Sequence, residues 1–211
     1  MRLLFVLFLL SFSLVFGQAN IQGSYLEEDL GLLERHFLGD ADAPISVVIF
    51  EDFGCPHCQA FNQNLFPDFK ESYIDTGFVK FYFFHLPIPV SDYSINAALA
   101  SECVAEQSKA AFWPYKISLY ETSIGNSIYG SGITAFRFWQ LAESFGIEQG
   151  QFMGCMLEER YANKLQQDRQ LGIEAGVNFT PAMLIDTEAI LNANDYDLLT
   201  RVLNDSIAAL D

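Results

Sequence analysis

Cys55-Pro56-His57-Cys58 carries the densest chemistry in this chain. Two cysteines two residues apart can close a small disulfide ring, and Pro and His within that ring suit a reactive end better than an inert bridge. The pair follows an apolar run, Ile45 to Phe50, and opens a stretch with apolar residues at helical spacing, Phe61, Leu65, Phe66 and Phe69. It therefore sits at a strand-to-helix junction. A helix N-terminus carries partial positive charge and free N–H groups, which favour a thiolate on Cys55. A stabilised thiolate makes the disulfide easier to reduce, so such a pair tends to oxidise other thiols. His57, as imidazolium or as a donor, adds to that stabilisation. Pro56 lacks an N–H and fits the first helical turn. Cys55 is the expected nucleophile and Cys58 its buried, resolving partner.

The remaining chemistry-bearing residues are sparser. There are four cysteines, and an even count in an exported chain suggests two disulfides. Short spacing favours Cys55–Cys58 and leaves Cys103–Cys155. That second bridge closes a loop of about 50 residues, worth about 4 kcal/mol in the chain-entropy model. Two buried free thiols or a second redox pair are the other readings. His36 and His85 read as packing or surface histidines, and Trp113 and Trp139 as core. Phe53 and Phe61 read first as core, second as an apolar patch for unfolded substrates. A metal held by Cys55, Cys58 and a third ligand is the poorer reading, because no second C-x-x-C exists. No metal is expected.

The elements that must position these residues follow from the pattern. Arg2, the apolar run Leu3 to Phe16 and the small residues Gly17 and Ala19 have the layout of a secretory signal, residues 1–19. The run is shorter than the roughly 20 residues of a spanning helix, with an uncleaved membrane anchor as the alternative. About 190 residues remain, which suits one domain or one domain with a large insertion. The net charge of −16 makes nucleic acid or an anionic lipid surface a poor partner. His36 to Leu38 reads as a short edge strand, Ile45 to Phe50 as a strand buried on both faces, and Pro56 to about Tyr73 as a helix that Pro67 kinks or splits. Phe78 to Leu86 is a further strand. Helices are expected near Ile95–Gln107, Ala111–Glu121, Thr134–Phe145 and Gln149–Gly172, the last breaking near Tyr161, with a loop at Gly125 to Gly132. Strands return at Ala182–Ile185 and Ala189–Leu191, before an amphipathic helix, Tyr196–Leu210. Strands at both ends of the chain must share one sheet if the domain is single, so the helical block is an insertion: residues 20–90, insertion 91–172, then 173–211.

This order resembles a thioredoxin-like fold with a helical insert, as in the DsbA-like thiol:disulfide oxidoreductases. Gly39 to Pro44 with Val47 to Cys58 is similar to that family's active-site entry. Ser101-Glu102-Cys103 through Phe112-Trp113 is similar to the start of its insert, and Gly172 through Thr180-Pro181 to the approach to its cis-proline. The resemblance covers roughly Phe37 to Asp211. It implies an α/β fold, a thioredoxin-like central sheet with an inserted all-helical subdomain. It implies no cofactor beyond a redox-active disulfide. Thr180-Pro181 would face the cysteines, the proline cis and the Thr180 backbone pairing with an extended substrate strand.

The implied activity is that of an exported oxidase donating the Cys55–Cys58 disulfide to folding proteins with free thiols, a monomer reoxidised by a membrane quinone-linked enzyme. A reductase or isomerase on the same scaffold is the second reading, and a redox-inert binding module or metal carrier the third. One departure concerns the proton of Cys58. Thioredoxin-fold proteins commonly bury an acid six residues before the first cysteine, and that position is Ile49 here. Glu51 and Asp52 lie four and three residues before Cys55, so the proton route is open between Glu51 and water. Both acids would oppose a thiolate on Cys55.

Overall fold

The computed structural model describes residues 32, 35–88, 91–121, 135–185, 188–190 and 192–210. The expected signal segment, most of the polar lead-in and the Gly125 to Gly132 loop lie outside these residues. The strands are β1 (Phe37–Leu38), β2 (Ile45–Glu51), β3 (Val79–His85), β4 (Ala182–Ile185) and β5 (Glu188–Ile190). They form one sheet in the order β1-β3-β2-β4-β5. β2 and β3 are parallel, with Ile45 opposite Val79 and Glu51 opposite His85. The other pairs are antiparallel.

β2 is flanked on both edges, and all its residues but Ser46 are buried. That explains its nearly unbroken apolar run. The pleat sends Val47 and Ile49 to one face with Phe81 and Phe83, and Val48 and Phe50 to the other with Tyr82 and Phe84. By the same alternation Glu51 and His85 belong to the first face.

After β2 the chain enters α1 (Pro56–Ala60), passes through a π-helical turn at Phe61–Leu65 into α2 (Phe66–Phe69), and ends in a second π turn at Lys70–Ile74. Pro67 does divide this helix. It lies in the first turn of α2, where its missing N–H leaves no helical bond unmade. The wide turn before it closes with the Phe66 N–H donating to the carbonyl of Phe61, five residues back.

Between β3 and β4 come α3 (Asp92–Gln107), α4 (Phe112–Glu121), α5 (Ala135–Ala142), α6 (Gln149–Leu157) and α7 (Ala162–Glu174); α8 (Tyr196–Ala208) follows β5. α3 starts earlier than its apolar pattern indicates, because Ser91 caps it and accepts the Ser94 N–H at 3.1 Å. The break expected near Tyr161 is a turn in which Glu159 takes a φ of 47°. Cys103 on α3 and Cys155 on α6 are joined by a disulfide, with Cα atoms 5.8 Å apart. Trp113 is buried and its Nε1–H donates to the Phe37 carbonyl at 3.0 Å, which ties α4 to β1. Phe53 and Phe61 pack in the core on the first face of the sheet and form no surface patch.

Candidate active site

At the end of β2 the backbone turns tightly, with the Cys55 N–H donating to the Asp52 carbonyl at 3.0 Å. Cys55 is then the N-cap of α1 in an extended conformation, and the Gln59 N–H closes the first helical bond on its carbonyl at 3.1 Å. Backbone N–H groups of the first turn are left over and point back at the cap. Those of His57 and Cys58 reach the Cys55 sulfur. Cys55 is half-buried, Cys58 is fully buried, and both are free thiols.

These surroundings pull the two thiols apart. The Cys58 thiol donating to the Cys55 sulfur is the largest influence on Cys55. Burial opposes it; Thr180 and the two N–H groups add to it. The Cys55 pKa falls from 9.0 to about 5. Cys58 moves the other way, well above the usual thiol range, because it is buried, spends its hydrogen on Cys55 and lies near the charge of Glu51. What His57 brings to the sulfur is its backbone N–H. Its side chain is exposed and lines a neighbouring pocket.

The Thr180–Pro181 peptide bond is cis, and the Cys55 thiol donates to the Thr180 carbonyl at 3.4 Å. The loop after β5 grips both halves of the site. The Ala193 N–H donates to the Pro181 carbonyl at 3.2 Å, and Asn194 Nδ2 donates to the His57 carbonyl at 3.3 Å. A pocket of about 630 Å³ opens here, with His57, Leu65, Phe179, Thr180 and Pro181 in its walls beside Asn192 and Asn194.

Beneath Cys58 lies a buried polar cluster. Asn62 Nδ2 donates to the Cys58 carbonyl at 2.9 Å and to Glu51 Oε1 at 2.7 Å. Glu51 Oε2 accepts from the Tyr120 hydroxyl at 3.1 Å and pairs with Lys116 Nζ at 2.7 Å. Glu51 and Lys116 have no solvent-exposed side-chain surface. Burial pulls the Lys116 pKa down while Glu51 pushes it up. Its ammonium also lies over the rings of Phe83, Trp113, Tyr120 and Phe66 at 4.9 to 5.4 Å. So Ile49 does leave the usual position without an acid, but Glu51, two residues on and one pleat period along the same face, puts a buried carboxylate near Cys58.

A second buried cluster joins α3 and α7 to β3. Glu102 accepts from His36 Nε2 at 3.0 Å, His85 Nε2 at 2.8 Å and Lys164 Nζ at 2.6 Å. Asp168 accepts the His85 backbone N–H at 3.1 Å and pairs with Arg35. His36 and His85 are thus hydrogen-bond partners of one buried carboxylate, His85 a packing histidine in the core and His36 a half-buried one. Among the described residues no group of three His, Cys, Asp or Glu could hold a metal ion.

The thioredoxin family model (Thioredoxin_4) matches residues 33–205. The chain is 30% identical over 184 residues to disulfide bond formation protein D of Bacillus subtilis strain 168, across 87% of this chain and 77% of that protein. The chain belongs to the thioredoxin family. Within that family it is a DsbA-like protein disulfide oxidoreductase. Oxidised BdbD of Bacillus subtilis matches with a TM-score of 0.72 at 30% identity, over 81% of this chain and 91% of that one. DsbA of Chlamydia trachomatis matches with a TM-score of 0.74 at 22% identity, over 83% and 93%, a likeness of fold. The architecture is accordingly a thioredoxin-like sheet with a helical insertion, and the redox group of such an oxidoreductase is a disulfide of its own chain.

The fold of this DsbA-like protein brings Cys55, Pro56, His57 and Cys58 together with Thr180 and Pro181. Cys103 and Cys155 lie in the helical insertion, away from that junction. Sequence reasoning missed Asn62, Lys116, Tyr120 and Asn194. Two of these carried a signal: Lys116 is the single charge inside the apolar stretch Phe112 to Tyr120, and Asn62 follows Cys58 by one helical turn.

Proposed function

We propose that this protein is a dithiol oxidase that donates a Cys55–Cys58 disulfide to proteins carrying free thiols. The observation that carries the reading is the surroundings of Cys55, a half-buried sulfur that faces a thiol and two backbone N–H groups and has a pKa near 5. A thiolate stabilised this far favours the reduced form of the pair, so the disulfide is a strong electron acceptor.

A substrate thiolate attacks the Cys55 sulfur, the S–S bond breaks, and Cys58 leaves with the electron pair and takes a proton. A second substrate thiolate attacks the mixed disulfide at the substrate sulfur and Cys55 leaves as a thiolate. Two electrons have then passed from substrate to enzyme. We assign the proton partner of Cys58 to Glu51, whose charge acts on the Cys58 thiol and which Asn62 ties to the Cys58 backbone carbonyl. The Thr180 backbone and the pocket beside Pro181 suit an extended substrate segment laid over Cys55. We read the protein as exported by its N-terminal segment, working as a monomer outside the cytoplasm, and reoxidised by a quinone-linked membrane enzyme. No helix among the described residues is long and apolar enough to cross a membrane.

The test is the reduction potential of Cys55–Cys58, by equilibration with glutathione buffers in a Cys103→Ser/Cys155→Ser background so that one pair titrates. A potential well above thioredoxin's value of about −270 mV is expected. A value near it would replace the oxidase with a reductase.

A further inference from the structure

Asp52 stands where the turn before Cys55, the exit of β3 and the start of the helical insertion meet. Its side chain is buried. Oδ1 accepts the Gly54 N–H at 2.8 Å and Oδ2 accepts the Ile88 N–H at 3.1 Å. The Ser94 hydroxyl donates to the same carboxylate. That bond orders its neighbours. Ser94 gives its proton to Asp52, so the Ser91 hydroxyl, 2.8 Å away, donates to Ser94 and accepts the Ser94 N–H. The packing is equally close. A Cβ on Gly54 would meet Ser94 Oγ at 2.5 Å and Asp52 Oδ1 at 3.4 Å, so only glycine brings this turn so near the insertion.

A carboxylate this enclosed acts strongly on a charge at its edge, because little water screens it. Its charge is coupled to Cys55 and Tyr120. Burial holds Tyr120 well above its ordinary range, so it stays neutral and Cys55 is the group that responds. We propose that Asp52 is a positioning residue that both aims Cys55 and limits its ionisation: it ties the active-site turn to the helical insertion, while its negative charge opposes the thiolate. In the disulfide Cys55 is uncharged and the carboxylate has no competitor. On reduction the two negative groups face each other, and the oxidising strength of the pair is held below what the C-P-H-C turn alone would provide. Burial already raises the Asp52 pKa, in keeping with a carboxylate near its limit for charge.

The proposal rests on Cys55 being the reactive thiol, which the native protein tests separately. The thiolate absorbance of the reduced protein is titrated against pH for the native chain, Asp52→Asn and Ser94→Ala. A native midpoint near 5 is expected; one near 9 would overturn both readings. Asp52→Asn should raise the Cys55 ionisation constant about threefold and move the glutathione equilibrium toward reduced enzyme by the same factor. Ser94→Ala keeps the carboxyl but removes a donor, so Asp52 stays protonated to higher pH and the shift has the same sign and a smaller size. That variant decides the matter if Asp52→Asn does not fold. An ionisation constant that is unchanged or lowered in folded variants, as judged by circular dichroism, overturns the proposal, because a carboxyl that only builds the turn would give that result.

Discussion

A thiol and its neighbours decide the chemistry at the residue scale, and the backbone does much of the work. Cys55 faces the N–H groups of His57 and Cys58 because it caps a helix, and those groups survive any change of side chain. His57→Ala is therefore expected to lower the Cys55 ionisation constant by no more than about tenfold, leaving its pKa well below 9. Alkylation rate against pH is the measurement. A midpoint that returns to the ordinary thiol range would mean that the imidazole, not the helix end, holds the thiolate. The C-P-H-C and Thr-Pro dipeptides were legible in the chain because cysteine spacing and proline leave few alternatives. Lys116 was not. A lone lysine in Phe112 to Tyr120 reads as the solvent side of a helix, and its burial depends on Glu51, from another element and 65 positions earlier.

Elements are joined across the sheet face by charge as well as by packing. The Glu51–Lys116 pair fastens α4 of the insertion to β2. Removing one partner leaves the other charge buried and unpaired. Lys116→Met should thus cost about 3 to 5 kcal/mol in urea unfolding, and Glu51→Leu with Lys116→Met much less than the sum of the single changes. Additive losses would mean that the two side chains act independently. The Cys103–Cys155 bridge works within the insertion, closing a 52-residue separation between α3 and α6. Cys103→Ser/Cys155→Ser is expected to lower stability by about 4 kcal/mol with the active-site pair still able to cycle. Loss of cycling in the folded variant would move that bridge into the redox chemistry. Most helices were readable from apolar spacing. So were the starts at Pro56, Gln149 and Tyr196; the start of α3 was not, because Ser91 acts through a single cap bond that spacing does not reveal. The two π turns were also hidden: only Pro67 announced that the helix could not run on evenly.

For the whole molecule, acid is the condition that finds the weak point. His85 is completely buried, and burial lowers its pKa below 6.5; Glu102, paired with His36, His85 and Lys164, is held well below 4.5. In both cases the unfolded chain binds the proton more readily than the native one. The contribution of these two groups is then level above about pH 7, starts to fall as pH drops below 6.5 through His85, and falls further below 4.5 through Glu102, while Asp52, whose pKa burial raises, works the other way in the acid range. Thermal unfolding of the oxidised protein, in which Cys55 does not titrate, should trace that decline, and His85→Gln should flatten its upper limb. A profile that His85→Gln leaves unchanged would remove the histidine from the account. The sheet order was legible only in part, because strand pairing over more than a hundred residues follows from the whole core and not from any local run.

Distance along the chain has a consequence for how such an enzyme comes into being. Thr180 stands 125 residues beyond Cys55, and its carbonyl reaches that sulfur only when β4 has paired with β2. A growing or truncated chain therefore carries all four sulfurs well before it has an assembled site. During that interval it is itself a polypeptide with unpaired thiols, the same kind of molecule that a protein disulfide oxidoreductase acts upon.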